Sequence, residues 1–155
     1  MLLKSPLQFL AFILLASLFE SCNPVADSPK EGSDVLIVPA KWTIEEITVN
    51  DAVTFRDGKL IQQFGGIDFE RYMETVSFKK NGDFEGYFKG ETKPMLLRWK
   101  LNASDISVVA ADNEKSGAWT ILPRDISKKS FTMKTQSTAY DYPRMTKIAL
   151  KFKAD

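Results

Sequence analysis

Few residues in this chain are of a type that carries out catalysis. The sequence contains no histidine and a single cysteine, Cys22, so the commonest general base and the commonest zinc ligands are missing. Ser77 and Lys80 have the Ser-x-x-Lys spacing of one class of acyl-transfer active site. That motif requires the start of a helix, which aims both side chains into one cleft. Here the two residues fall in a predicted strand and its turn, on opposite faces, so the spacing is interpreted as a coincidence.

The carboxylate pairs are not stronger candidates for a catalytic site. Glu45 and Glu46 are neighbours in a predicted strand, where successive side chains point to opposite faces, so we do not expect them to share a site. Asp68 and Glu70 could act together if their segment is extended, but solvated loop charges are the simpler interpretation. The sequence therefore predicts a protein that is not an enzyme.

A short acidic run at residues 81–86 is similar to the first half of a calcium-binding loop. Such a loop needs a bidentate glutamate at its twelfth position, and this chain has Thr92 there. A β-hairpin explains the same residues, so we predict no metal site and no bound cofactor.

The N-terminal segment carries a targeting pattern. An apolar run of about 13 residues over positions 7–19 follows Lys4. It is shorter than the roughly 20 residues that a transmembrane helix needs and has the length of a secretory signal core. The run ends in Phe19-Glu20-Ser21-Cys22, which resembles a bacterial lipobox, where a small residue precedes a cysteine that is acylated after cleavage. A buried helix of the domain and a free lone cysteine are the alternatives.

These features predict three parts of the chain. Residues 1–21 are expected to be a lipoprotein signal peptide, residues 22–34 a lipidated Cys22 with a flexible tether rich in Pro, Ser, Gly and Asp, and residues 35–155 a folded domain. The diacylated cysteine of a lipoprotein anchors a protein stably. Asn23, in place of an aspartate, favours the outer membrane by analogy with enterobacterial lipoproteins. Exposure to the periplasm or to the cell surface stays open.

The charge pattern excludes one class of partner. The formal net charge is +1 and the charges of both signs are interspersed. A nucleic-acid partner would require a basic stripe or patch, and the sequence has none. Lys147, Lys151 and Lys153 alternate with apolar residues, which is typical of one solvated strand face.

The chain after residue 34 alternates between apolar and polar residues with the period of two that is typical of half-buried strands. In residues 95–101, Met95, Leu97, Trp99 and Leu101 share one face. Turn-forming residues recur about every 8–15 positions, and we find no convincing helical period. The sequence therefore predicts an all-β domain, an antiparallel up-and-down barrel or flattened sandwich of about eight strands. A signal-peptide helix and a flexible tether are expected to precede it.

One hairpin can be predicted in register. A three-residue loop over Lys80-Asn81-Gly82, with Gly82 left-handed, pairs Phe78 with Phe84 and Lys79 with Asp83. This register places two aromatic rings inside and an ion pair outside. Gly86, in the middle of the second strand, is expected to mark a bend in the sheet.

From Ala40 onward the chain resembles the lipocalin-like lipoproteins of Bacteroidota, which belong to the calycin group of small barrels. The likeness covers about residues 40–153 and rests on the strand rhythm, on Trp42 in Ala40-Lys41-Trp42 and on Trp99 in a middle strand. Lipocalins have a glycine two residues before this tryptophan, which is missing here. The resemblance implies a barrel with one closed end and one open end, a small apolar ligand, and an arginine, here Arg144, that covers Trp42.

The aromatic residues are the main candidates for a site. They form either a ligand cavity or a plain core, and the candidates are Trp42, Phe78, Phe84, Phe88, Trp99, Trp119, Phe131 and Phe152. A lid, or an irregular strand that closes one barrel end, is predicted at Phe64, Gly65, Gly66 and Phe69. We expect a membrane-anchored module that binds a small apolar ligand. The alternative is a structural or protein-interaction module of the outer membrane with a solid core and an envelope protein as its partner.

Overall fold

The computed structural model describes residues 23–65, 71–110 and 117–155. The predicted signal peptide, Cys22 and its lipidation lie outside these residues. In the described part, none of the helices is long and apolar enough to cross a membrane. The elements are a helix α1 (Pro29–Leu36), a 3-10 turn (Pro123–Asp125) and the strands β1 (Trp42–Val49), β2 (Ala52–Arg56), β3 (Lys59–Leu60), β4 (Met73–Phe78), β5 (Asp83–Phe88), β6 (Met95–Leu101), β7 (Ile106–Ala110), β8 (Trp119–Ile121), β9 (Ser130–Ser137) and β10 (Thr146–Ala154).

Eight antiparallel strands close into a barrel, which confirms the predicted fold. The order is β10-β9-β8-β7-β6-β5-β4-β1, and β1 pairs back with β10 along its whole length. The other edge of β1 is shared: Trp42 and Thr43 pair with β4, and the segment from Glu46 to Val49 pairs with β2. The small β2–β3 hairpin is therefore an addition to the barrel rather than part of its closed ring.

Helix α1 lies at the barrel end where β1 begins and β10 ends, and we call this the closed end. The opposite end, where β1 ends and β10 begins, is called the open end. Side chains alternate along the strands, so that Phe131 and Met133 of β9 are fully buried while Lys134 is exposed. This is the period-two pattern that the sequence predicts.

A β-bulge in β1 corrects the expectation for the two neighbouring glutamates. Ile44 pairs with Phe152 and Glu46 pairs with Lys151, so that Glu45 is the extra residue. Ile44 and Ile47 are both buried while Glu45 and Glu46 are both half-buried on the outside. A bulge places two residues of one strand opposite a single residue of its partner. The two carboxylates therefore point to the same face, and the strict alternation predicted for them is wrong.

The segment predicted as a flexible tether is folded over much of its length. Ser28 caps α1, and its Oγ accepts a hydrogen bond of 3.2 Å from the Glu31 backbone N–H. Before the helix, the Ala26 backbone N–H donates to the Ile126 carbonyl at 2.9 Å. Leu36 is completely buried. The reason is that an eight-residue helix is marginal by itself, and its packing on the barrel stabilises it.

Close packing between α1 and the barrel depends on Gly32. A Cβ atom on this glycine would lie 2.6 Å from Cδ1 of Ile126 and 3.5 Å from Cδ1 of Ile106. The helix therefore approaches the start of β7 and the β8–β9 connection without a side chain in between. The sequence shows no convincing helical period here because this helix is too short to display one.

The predicted β4–β5 hairpin register is confirmed. Phe78 pairs with Phe84 and Val76 with Gly86, and Gly82 has a φ of 88°. The ion pairs differ from the expectation, since Lys79 contacts Glu85 at 3.3 Å and Arg98 of the next strand contacts Asp83. Arg98 belongs to the neighbouring strand β6, which the isolated hairpin does not contain, whereas Glu85 lies within the hairpin itself.

Candidate functional site

The core at the closed end consists of aromatic rings in direct contact. Phe131 lies at its centre, with ring centroids 5.1 Å from Trp42, 5.4 Å from Phe78 and 5.1 Å from Phe152. Phe78 also packs edge-on against Phe84 at 5.1 Å. Such edge-to-face and stacked contacts are the favoured geometries of aromatic pairs. These five residues of the predicted set therefore form a packed core in this half of the barrel.

Trp42 is held by the helix and not by the arginine that the family resemblance implies. Its Nε1–H donates to the backbone carbonyl of Leu36, the last residue of α1, at 3.0 Å. Arg144 instead lies in the β9–β10 connection, highly exposed and paired with Asp141 at 3.0 Å. The expected cover of Trp42 by Arg144 is therefore wrong.

At the open end, several inward-facing apolar side chains are incompletely buried. Phe88, Met95 and Trp119 occupy inward positions at this end of β5, β6 and β8, and all three are only half-buried. Cations flank this region: the Arg71 guanidinium lies 4.5 Å from the Phe88 ring centroid and the Lys89 ammonium 5.6 Å from that of Tyr72. We call Tyr72, Phe88, Met95 and Trp119 the mouth group.

Trp99, the remaining aromatic of the predicted set, lies apart from the mouth group. Its Nε1–H donates to the Lys79 carbonyl of the β4–β5 turn at 2.8 Å, and its ring packs against Phe78 at 6.2 Å. This side chain ties β6 to the neighbouring hairpin. A cross-strand contact of this kind stabilises the sheet.

An unpaired hydroxyl also lies at the open end. Thr146 begins β10 on the inward side, in line with Ile148 and Leu150, and it is completely buried. Its Oγ1 has no hydrogen-bond partner in the part of the chain that the structure describes. A buried polar atom without a partner carries a desolvation cost of about 1–3 kcal/mol. Sequence reasoning missed this residue because a strand threonine carries no local signal of orientation or burial.

The predicted lid is only partly within the described residues. Phe64 is half-buried and packs against the core. Gly65 is exposed, with open space where a side chain would lie. Gly66 and Phe69 fall outside the described residues, as do Asp68 and Glu70.

The chemistry-bearing candidates are separated from one another. The Ser77 hydroxyl is buried and donates to Glu85 at 3.4 Å, whereas Lys80 is exposed in the turn. Glu45 pairs with Lys151 at 2.8 Å and Glu46 with Arg56 at 2.5 Å, so the two carboxylates neutralise different cations.

The run that is similar to a calcium loop forms the β4–β5 turn. Asn81 caps this turn by accepting a 3.1 Å hydrogen bond from the backbone N–H of Asp83. Among the described residues, no group of three or more His, Cys, Asp or Glu side chains could hold a metal ion.

A groove of about 540 Å³ lies on the outer face of β8, β9, β10 and β1, close to the open end. Its volume is within the range of about 300–1,000 Å³ that is usual for ligand sites. Most of its lining residues are of polar types, and none of the predicted aromatic residues contributes to it. Its lining includes Thr48, Asp51, Thr120, Thr132, Lys134, Gln136, Lys147 and Ala149.

The fold, the aromatic core at the closed end and the mouth group at the open end define the class of the protein. It is an all-β domain with a closed eight-stranded antiparallel barrel, an aromatic core at one end and half-buried apolar side chains at the other. No family model, curated protein or solved structure matches the chain. The fold and the geometry of the sites therefore carry the functional interpretation.

Proposed function

We propose that the protein is a lipid-anchored, non-enzymatic binding module of the cell envelope, whose barrel takes a small apolar ligand at its open end. The observation that carries this proposal is the change of burial along the barrel. The five packed aromatic residues at the closed end are buried, whereas the mouth group is half-buried, as is Trp99 beside the β4–β5 turn. Covering such apolar surface contributes about 25 cal/mol per Å².

The proposed ligand is small and carries one polar group. The stacked rings around Phe131 fill the closed half of the barrel, so the ligand is confined to the open half. An apolar body would contact Phe88, Met95 and Trp119. A hydroxyl, carbonyl or carboxyl group would hydrogen-bond to the unpaired Oγ1 of Thr146 once a covering side chain moves aside, because this atom is completely buried and gains most from a partner.

The ligand proposal is tested with full-length protein in detergent and the apolar fluorescent probe N-phenyl-1-naphthylamine. Met95→Glu places a charge among the half-buried side chains, and we expect it to weaken probe binding by about tenfold or more, because a buried unpaired charge is costly. Leu96→Glu is the matched control, since the neighbouring side chain is 63% exposed and points outward. No saturable binding, or equal loss in both variants, would contradict the ligand site.

The anchor proposal rests on Cys22 and its lipobox-like context. Mass spectrometry of the protein purified from its own host membranes is expected to show a diacylglyceryl-modified cysteine at the N-terminus. Cys22→Ser is expected to release the protein from the membrane fraction, because the unmodified chain lacks the lipid that holds it there. An unmodified Cys22 in membrane-bound protein would contradict the anchor.

A second candidate function is an interaction module of the outer membrane that uses the outside of the barrel. The outer groove of about 540 Å³ favours it, together with the packed core. A photo-crosslinking amino acid at Thr132, in the groove, is expected to give one discrete cross-linked species in host cells. The control position is Leu96, on the opposite side of the barrel. The same products from both positions, or none from Thr132, would contradict this function.

A further inference from the structure

The described chain enters the domain at the closed end, three residues after Cys22. Val25 forms a β-bridge with Ser127 in the β8–β9 connection, and Ala26 is buried and hydrogen-bonded to Ile126. A fully extended chain spans at most about 3.6 Å per residue, so that Val25 lies within roughly 11 Å of Cys22. If Cys22 is lipidated, as the proposed function states, the closed end cannot move far from the membrane surface.

The residues around this point are suited to a lipid surface. Val25 and Val38, which flank α1 on either side, are 46% and 79% exposed. Exposed aliphatic side chains beside an anchor insert favourably into the interfacial region of a bilayer. Water solvates such aliphatic side chains poorly, and a strand or helix face usually buries them.

The charges next to Val25 favour anionic headgroups. Lys128 and Lys129 follow Ser127 directly, and in the described part of the chain neither has an ionic partner, nor does Arg124. Asp34 pairs with Lys30 and Asp125 pairs with Lys134. Asp27 and Glu31, which accepts a hydrogen bond from the Asp27 backbone, have no ionic partner in the described part, so the three unpaired cations here outnumber the unpaired carboxylates by one.

We propose that the closed end of the barrel docks on the lipid headgroups of the membrane that holds Cys22, through Val25, Val38, Lys128 and Lys129. This surface is called the docking end. Its two exposed lysines are attracted to an anionic lipid surface. The open end then faces away from the membrane. The nine residues of β10, at about 3.4 Å each and with the usual barrel tilt, place it about 20–25 Å further out.

This orientation has a consequence for the proposed ligand. The mouth group exchanges its ligand with the aqueous side and not directly with the bilayer beneath the domain. The short link of Asn23 and Pro24 keeps Val25 close to the lipid, and the contacts of the docking end hold the open end away from it.

Depth-dependent fluorescence quenching tests the orientation in the lipidated full-length protein. Val38→Cys and, separately, Tyr142→Cys are labelled with the fluorophore NBD and reconstituted into vesicles of phosphatidylethanolamine and phosphatidylglycerol. Tyr142 is the matched position at the open end, with 85% exposure. A headgroup spin-labelled lipid (TEMPO-phosphatidylcholine) is expected to quench the label at position 38 several-fold more strongly than the label at position 142. Equal quenching at both positions, or stronger quenching at 142, would overturn the docking end.

Charge reversal gives an independent readout. Lys128→Glu combined with Lys129→Glu is expected to reduce quenching at position 38, whereas Lys147→Glu near the open end is expected to leave it unchanged. Unchanged quenching in the double variant overturns the role of the two lysines. The mass of the N-terminal peptide separates the two proposals: missing lipid on Cys22 refutes the anchor, whereas lipidated protein without selective quenching at position 38 refutes the orientation alone.

Discussion

At the scale of single residues, Trp42 connects two parts of the domain. Its ring packs edge-on against Phe131 at 5.1 Å, and its indole N–H satisfies the last carbonyl of α1. The carbonyls at a helix C-terminus have no partner within the helix, and Leu36 is completely buried. Trp42 therefore stabilises the core and the helix end at once.

Trp42→Phe separates these two roles. It keeps an aromatic ring but removes the hydrogen bond to Leu36, and we expect it to lower the free energy of unfolding by about 1–3 kcal/mol. Trp99→Phe is the control, because it also removes an indole hydrogen bond, to the Lys79 carbonyl, but at a half-exposed position. Urea titrations monitored by circular dichroism measure the free energy of unfolding of both variants. An equal or larger loss in the Trp99 variant would contradict the special role of the buried bond.

A second residue-scale prediction concerns the ion pair of Lys41 with Asp155. The Lys41 ammonium contacts Asp155 at 2.8 Å, and the Thr43 hydroxyl donates to it at 2.7 Å. The hydrogen bonds from Lys41 and then from Thr43 hold the pKa of the Asp155 carboxyl below its usual range, and Asp155 raises the pKa of Lys41. Lys41→Met is expected to raise the pKa of Asp155 towards its ordinary value, and Lys128→Met to leave it unchanged, as followed by NMR of the carboxyl carbon.

The sign of the pH dependence follows from these directions. A carboxyl with a lowered pKa contributes stability above its unfolded pKa and loses it as the pH falls through the folded pKa. A lysine with a raised pKa loses its contribution only as the pH rises through its own folded pKa. The pair should therefore leave stability flat between about pH 5 and pH 9. Its effect outside that range stays small because both side chains are exposed and screened.

At the scale of elements, α1 is part of the barrel's packing and closes one end of it. Gly32 is buried at the point where the helix meets Ile106 and Ile126. The absence of a side chain at Gly32 lets the helix approach the barrel closely. An interior glycine also has a cost, since it weakens a helix by about 1 kcal/mol relative to alanine. Close approach to the barrel outweighs that local cost.

Gly32→Leu tests the packing of α1. The added side chain meets Ile126, so we expect a loss of about 1–3 kcal/mol in the free energy of unfolding through overpacking. Asp34→Leu introduces the same residue at an exposed position of the same helix and is expected to have little effect. The comparison is made by urea unfolding. A Gly32→Leu variant with an unchanged free energy of unfolding would show that α1 does not need its close contact with the barrel.

The elements also show which features a sequence can predict. The β4–β5 hairpin was predictable in register because its signals are local: Asn81-Gly82 at the turn, and Phe78 and Phe84 at equal distances from it. The β1 bulge was not, because the position of Glu45 is set by pairing with β10, about a hundred residues further along the chain. For α1, the Ser28 cap and Glu31 were available signals, but the apolar face is too short to show a period.

At the scale of the whole molecule, the barrel is closed by its first and last strands. β1 and β10 pair from Trp42 with Ala154 to Val49 with Ile148, and the single buried core contains residues of nearly every strand. Contacts of this kind join distant parts of the chain and close long loops. No half of the described barrel has a core of its own.

We therefore expect one cooperative unfolding transition. Tryptophan fluorescence, which reports Trp42, Trp99 and Trp119 in different parts of the barrel, should give the same urea midpoint as far-ultraviolet circular dichroism. Small single-domain proteins usually behave in this way because their core is lost as a unit. Two separated midpoints would contradict a single folding unit and would indicate that the open end unfolds first.

The sequence alone determined the strand-rich antiparallel class, as a barrel or a flattened sandwich, the β4–β5 register and the expectation of a lipidated Cys22. These follow from period-two alternation, from turn residues and from a short apolar leader, all of which act over a few neighbouring positions. Only the tertiary structure decided that the sheet closes into a barrel, that part of the predicted tether is helical and packs on it, that both glutamates of the bulge face outward, and that Thr146 is buried without a partner in the described part. These depend on contacts between distant strands, whose register no local pattern encodes.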